Sequence, residues 1–488
     1  MPMDRIPFKK IRLFYEDRFA VPLILKRRDR LAPWELYQRV YPKGEKSFFL
    51  DSLQYFPPAQ RYSSIGWKPY LAAFFKEGKF WTEGEIIQTR TNPDLLAELR
   101  RLFSVKVPAE FSSECFTGGA VGYFGYELAR EFDRVSFRKK RGVGIPSLAL
   151  LFFRDVIIFD HKTGDYYLVS WLIPEKKVSF FQAMEKAEQA FKEMESVFLS
   201  PPQESPDGFD LARFRAEISK SDFERMVRKA KSYIRAGDIY QANLSQRFSF
   251  KFRGSPLKLY GRLRETNPSP YAAALRLGDL FVASSSPELL IEKKGDCGVT
   301  RPIAGTRPRG SRPEETRRLL KELSTNEKEK AEHLMLVDLE RNDLGRVSEW
   351  RSVRVKDFMQ IEKYARVMHI VSEITGRICS SNDAWDLIKA MFPGGTVTGC
   401  PKIRSMEIID ELEPVERGIY TGSIGYIGFD GNLKLNIAIR TLVLHKNQGY
   451  LQVGAGIVAD SDPGREYEET LAKGEALAEA LLQASSFE

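Results

Sequence analysis

Over the first 200 positions, apolar residues come in short dense runs rather than at helical spacing. KSFFLDSL (46–53), LALLFF (148–153) and DVIIFDH (155–161) read as strands. Gly118, Gly119, Gly122 and Gly125 break up the aromatic segment GGAVGYFGYEL. From Val178 to Leu199 the spacing turns helical, with alanine, lysine and glutamate on the polar side. Three prolines and a glycine between Ser200 and Gly208 deny regular structure, which makes this stretch the linker. The expected domains are therefore 1–205 and 206–488.

After the linker, SKSDFERMVRKAKSYIRAGD predicts an amphipathic helix that opens on serine and stops at Gly237. IYQANLSQRFSFKF alternates as a strand from Ile239, and the stretch from Pro313 to Leu344 reads as helix interrupted near Ser324–Asn326. From Gly422 three strand-like runs follow, joined by Asp430-Gly431 and Asn447-Gln448-Gly449. Strands and helices do not alternate regularly and no repeat is visible, so the expected fold class is α+β.

Composition narrows the functions. Of 488 residues, 75 are basic and 66 acidic, a net charge of +9 with no block of five consecutive like charges. That is weak attraction for an anion, with no basic recognition helix or RNP-like aromatic motif for nucleic acid. The cysteines Cys115, Cys297, Cys379 and Cys400 form no CxxC or Cys/His cluster, which excludes a disulfide scaffold and the usual zinc frameworks. The N-terminus lacks the apolar core of a signal peptide, and the most apolar run, Leu148–Phe153, is far short of a membrane span. A cytoplasmic protein with neither membrane nor nucleic-acid partners is expected.

Candidate chemistry concentrates in the second half. Glu329 and Glu332 are three apart in NEKEKAEH, as are Glu466 and Glu469 in GREYEET, so each pair projects from one side of a helix. Four converging carboxylates need a cation, and Mg2+, which takes oxygen ligands and keeps waters, is the natural one; two unrelated solvated helix faces are the alternative. Gly394, Gly395, Thr396, Thr398 and Gly399 precede a helix, which suits an anion or merely a tight connection, and the spacing is not that of a P-loop. Arg440, in the strand-like LNIAIRTLVL, requires a carboxylate partner from the protein or from a ligand. His369 in RVMHIVSEI is a core histidine or an acid/base group.

Together SSSPELL, RPIAGTRPRG, EKAEHLMLVDLERNDLGRV, GGTVTGCPKIRSMEIIDELEP, YTGSIGYIG and GAGIVADSDPGREYEET resemble the chorismate-utilising enzymes, component I of anthranilate and aminodeoxychorismate synthases. The resemblance implies an α+β fold of large antiparallel sheets packed as a sandwich with helices outside. It implies that Glu332 and Glu469 bind magnesium, with Glu329 and Glu466 acting directly or through water, and that the metal holds the ring carboxylate of chorismate. Tyr420, Arg440, Lys473 and the backbone near Gly456 resemble the groups that bind the substrate's carboxylates, and Gly395 and Thr396 the anion loop. Glu288 in SPELL resembles the general acid for the departing C4 hydroxyl, and His369 an active-site histidine.

Gln241 in YQANLSQRF stands where isochorismate- and salicylate-forming relatives place a lysine to activate water. An amide cannot be that base, so the resemblance implies ammonia as the nucleophile. With no GxCxG turn and no spare length for a glutaminase, a separate glutamine amidotransferase subunit is implied. YQANLSQRF, TGCPK, Ser423 and Asn436 favour amination at C4, giving 4-amino-4-deoxychorismate. Asp51-Ser52 replaces the LLES pattern of tryptophan-inhibited anthranilate synthases, which predicts weak or absent tryptophan feedback. Ala304 in PIAGT opposes the C4 choice, because many aminodeoxychorismate synthases carry a nucleophilic lysine there and anthranilate synthases an alanine. A non-catalytic amino-acid sensor on the same fold is the reading from another class.

Overall fold

The fold is described from a computed structural model covering residues 7–52, 61–133, 135–138, 140–201, 209–309, 312–363 and 367–482. Two twelve-stranded sheets, antiparallel at every pairing, form its centre. Each sheet draws strands from both sides of the 200–208 segment, the expected linker. Lys46–Asp51 pairs with Tyr271–Leu277 in the first sheet, and Gly119–Phe124 with Ser423–Gly428 in the second. Of the linker itself, residues 202–208 lie outside the described residues.

The dense apolar runs have a simple cause: their strands are buried on both faces. In Leu148–Phe153, Ala149, Leu151 and Phe153 enter the core between the sheets, while Leu148, Leu150 and Phe152 face helices outside. Phe48 does the same from the first sheet, meeting Phe153 with ring centroids 4.7 Å apart. Helices Leu95–Leu102 and Ala384–Met391 cover the second sheet, and Pro33–Val40, Phe180–Leu199, Pro256–Thr266 and Pro463–Leu482 the first. This is the α+β sandwich expected from the resemblance.

Local signals place several helix ends. Ser179 caps Phe180–Leu199 in a reciprocal box with Gln182, and Ser219 caps Lys220–Ala236, which ends at Gly237 with φ 82°. Asn326 divides Pro313–Thr325 from Glu327–Gly345 by accepting a hydrogen bond from the Glu329 amide.

Three expectations change. The glycines of GGAVGYFGYEL do not interrupt structure: Gly119–Phe124 is a fully buried central strand, and a Cβ on Gly122 would lie 1.8 Å from the Ala149 carbonyl oxygen. The segment 394–399 does not open a helix directly. It forms a 3₁₀ turn, Gly395–Val397, then a two-residue strand, Gly399–Cys400, on Gln241–Gly254, before helix Lys402–Leu412 begins. Third, the run containing Arg440 is not one strand. It stops at Asn436 in the second sheet and resumes at Thr441 in the first, and Arg440 lies in the crossing with φ 50°.

Candidate active site

Two crossings between the sheets build the centre of the site. Ser286 ends a strand of the first sheet and Leu289 begins one of the second, leaving Glu288 between them. The 437–440 segment returns in the opposite direction beside it. The Ile437 amide donates to the Glu288 carbonyl (3.0 Å), the Ser285 amide to the Arg440 carbonyl (3.1 Å), and the Ser286 hydroxyl to the Ile437 carbonyl (2.6 Å). Side chains far apart in sequence are thereby fixed by backbone hydrogen bonds.

Burial sets the protonation states. Glu288 is 5 % exposed and its Oε1 has no hydrogen-bond partner. Burial pushes its carboxyl up to about 8, partly offset by the Thr396 hydroxyl and Arg440, while the charge of Glu340 adds to the rise. Burial, with the charge of Arg440 added, lowers His369 to about 4. Among the described residues the Arg440 side chain makes no ion pair, and its desolvation is opposed by Glu288 alone. At neutral pH the centre therefore holds a protonated acid, a neutral imidazole and one uncompensated guanidinium.

The remaining predicted residues arrive from surrounding elements. On the helix Glu327–Gly345, Glu332 accepts a hydrogen bond from the Gln241 amide (2.9 Å). A Cβ on Gly456 would lie 2.6 Å from that amide nitrogen, so the glycine makes room for the contact. Tyr420 is buried, its hydroxyl beside Asn243 and the backbone of Gly454. Lys473 donates to the Gly454 carbonyl (3.1 Å) and pairs with Glu469 at 2.7 Å. Glu329 pairs with Arg307 at 2.8 Å, its second oxygen buried without a partner against Gly305. Gly305 also lies beside His369, which links the two. The Thr396 hydroxyl is likewise buried and stands against the Glu288 carboxyl.

The four glutamates do not converge as expected. Among the described residues no group of three or more His, Cys, Asp or Glu side chains is gathered as a metal cage. Glu332 is bound to Gln241, Glu329 to Arg307 and the exposed Glu469 to Lys473, while Glu466 stays half-buried in the first turn of Pro463–Leu482. Of those three carboxylates, Glu329 and Glu469 have a cationic partner, whereas the Gln241 amide at Glu332 is neutral and leaves its charge unmatched by Gln241. Ser423 and Asn436 are structural: the Ser423 hydroxyl donates to the Asn436 carbonyl, and the Asn436 amide crosses to the Tyr271 carbonyl at 3.0 Å.

Two residues escaped the sequence reading. Arg417 is buried, paired with Glu413 at 2.6 Å, and donates to the carbonyls of Val397 (2.9 Å) and Asn243 (2.5 Å). It ties the Thr396 turn, the strand after Gln241 and the Tyr420 segment together. Glu340 is 2 % exposed; standing eight residues after Glu332 on one helix, it shares a face with it, a spacing visible in the sequence.

A model of the chorismate binding enzymes matches residues 53–479. The chain belongs to that family. Among members, it is 39 % identical over 98 % of its length to anthranilate synthase component 1 of Aquifex aeolicus, of which 97 % is covered. It is 44 % identical to aminodeoxychorismate synthase component 1 of Bacillus subtilis over 75 % of this chain and 77 % of that protein. The solved anthranilate synthase component I of Streptococcus pneumoniae superposes with a TM-score of 0.75 at 35 % identity, over 87 % of this chain and 93 % of the other. Among the described residues of this chorismate-binding enzyme, no helix is long and apolar enough to cross a membrane.

Proposed function

We propose that this chain aminates chorismate at C4 to 4-amino-4-deoxychorismate, using ammonia from a separate glutamine amidotransferase subunit. The observation that carries the reading is the Arg440–Glu288 centre. A half-buried, desolvated guanidinium without a counter-ion among the described residues calls for an anionic ligand, and the neighbouring carboxyl holds a proton at neutral pH. Arg440 binds a substrate carboxylate. Tyr420 and Lys473 border the same ligand, and Glu288 gives its proton to the C4 hydroxyl as the C–O bond breaks, since hydroxide is a poor leaving group. Gln241 cannot deprotonate water, and its amide is held by Glu332, so ammonia is the nucleophile. Its lone pair forms the new C–N bond, and the ammonium so formed sheds a proton.

Magnesium belongs to this proposal. The separately partnered glutamates do not form a protein cage, but magnesium is commonly held by one or two carboxylates with substrate and water completing the shell. The residues fit that kind of site, with Glu332 and Glu469 as ligands and Glu329 and Glu466 near or through water; the unpartnered Glu329 oxygen is an orphan of the type a cation satisfies. When bound, the metal supplies a positive pole for the ring carboxylate.

The C4 choice rests on YQANLSQRF and TGCPK and on the 44 % identity to the Bacillus protein. One observation favours amination at C2 with loss of pyruvate, giving anthranilate. Ala304, buried opposite Ile370 and hence next to His369 on that strand, offers no nucleophile. The deciding experiment supplies chorismate, magnesium and ammonium and identifies the product by mass and fluorescence. A product that yields 4-aminobenzoate only after a lyase is added supports the C4 reading. Fluorescent anthranilate formed directly replaces it, and no chorismate consumption rejects both.

A further inference from the structure

Behind Glu288 lies a second buried carboxyl. Glu340 receives a hydrogen bond from the Thr300 hydroxyl (3.0 Å) on one oxygen, while its other oxygen would stand 3.5 Å from a Cβ on Gly395. Thr396, the next residue, sets its hydroxyl beside Glu288. The Gly395–Thr396 turn thus stands against both acids. One turn along the helix, Asp343 pairs with Lys402 at 2.5 Å, and both side chains are almost fully buried. Asp343 and Lys402 line a cavity of about 640 Å³ on the far side of the helix, with Leu339, Asn342, Arg346 and Cys400. Groups on every side are accounted for: Glu288 faces Arg440, Thr396, the Ile303 amide and Glu340, while Glu340 faces Glu288, Asp343, Lys402, Thr300 and the Gly395 amide.

We propose that Glu340 is a positioning residue for the proton of Glu288, and that the Asp343–Lys402 pair joins these two carboxyls to the cavity behind the helix, from which Glu288 is recharged. The inference rests on Glu288 being the acid of the proposed amination. In each turnover the Glu288 O–H bond breaks and its proton leaves with the hydroxyl as water. Glu340 passes its own proton to the Glu288 carboxylate and takes another from cavity water. The proton shed by the new ammonium balances that uptake. Burial and the charge of Asp343 raise Glu340 to about 7, opposed by Lys402, which suits a group that gives and regains a proton near neutrality.

The test is Glu340→Gln beside Glu340→Asp in the full chain, with thermal unfolding to establish that both fold. Removing a neighbouring like charge should move the alkaline limb of kcat down by about one pH unit, lower kcat about tenfold and leave KM for chorismate unchanged, with the aspartate variant restoring the limb. A limb that stays in place in a folded Glu340→Gln enzyme overturns the proposal. A readout without substrate keeps this separate from the assigned reaction. The carboxylic-acid C=O band of Glu288, assigned by its loss in Glu288→Gln and titrated by infrared difference spectroscopy, should shift by the same amount. An unshifted band in an active or inactive enzyme sinks the inference, whereas a wild-type chain that never consumes chorismate sinks the functional reading alone.

Discussion

Glu288 and Arg440 occupy opposite crossings between the two sheets, and the crossings are hydrogen-bonded to each other through Ile437 and Ser285. An acid and a cation 152 positions apart are therefore held by backbone geometry rather than by a salt bridge of their own. Their protonation follows from that placement, because burial opposes both charges while Arg440 only partly offsets the rise at Glu288.

Replacing Glu288 by glutamine preserves the shape and removes the donor. The expected outcome is a fall in kcat of about 10²–10⁴-fold with little change in KM, measured as chorismate consumption. In the wild type, activity should decline as pH rises through about 8, where this carboxyl loses its proton.

Arg440→Met removes the half-buried positive charge proposed to meet the substrate. A charge-assisted hydrogen bond contributes about 1.5–3 kcal/mol, so KM should rise roughly ten- to a hundredfold while the protein remains folded. Unchanged chorismate binding by calorimetry would remove Arg440 from the site.

His369 is held neutral by burial, with its folded value near 4 against an ordinary 6.5. The unfolded chain binds the extra proton first, so this contribution to stability is present above about 6.5 and is lost as pH falls toward 4. Denaturant melts between pH 7 and 4.5 should show a steeper loss for the wild type than for His369→Gln. Equal slopes would place the titration elsewhere.

Arg417→Met leaves Glu413 charged and buried. Loss of one partner from a buried pair costs about 3–5 kcal/mol, so urea midpoints should fall sharply. Arg417→Lys should recover part of the loss, since it keeps the charge but not the contacts to Val397 and Asn243.

Tryptophan should leave the activity unchanged. Asp51 is 1 % exposed and already engaged by Arg264 at 2.8 Å and by the Tyr260 hydroxyl at 3.2 Å, so its position is filled by the protein's own ion pair. Inhibition by micromolar tryptophan, followed in the same assay, would show that the altered LLES segment still reads the amino acid.

Much of the architecture was legible along the chain. The continuous apolar run at 148–153, the serine caps at Ser179 and Ser219 and the helix break at Asn326 depend on neighbours a few residues away, and local pattern states them directly. The family resemblance likewise rests on ordered motifs in the sequence. Pattern failed at Arg440, because alternation of apolar residues continues across a change of sheet and carries no mark of the crossing. It also failed for the glutamates: spacing put Glu329 with Glu332 on one helix, but could not show that Arg307 and Gln241 would claim them separately.

The sequence alone determined many of the elements, the α+β class and the residue types able to carry the chemistry, because these follow from short-range periodicity, capping and side-chain identity. Tertiary structure alone decided the state of those residues. Only closure of the two sheets brings Glu288, Arg440, His369 and Glu340 into one water-poor region, and desolvation there, not the local sequence, sets which of them holds a proton.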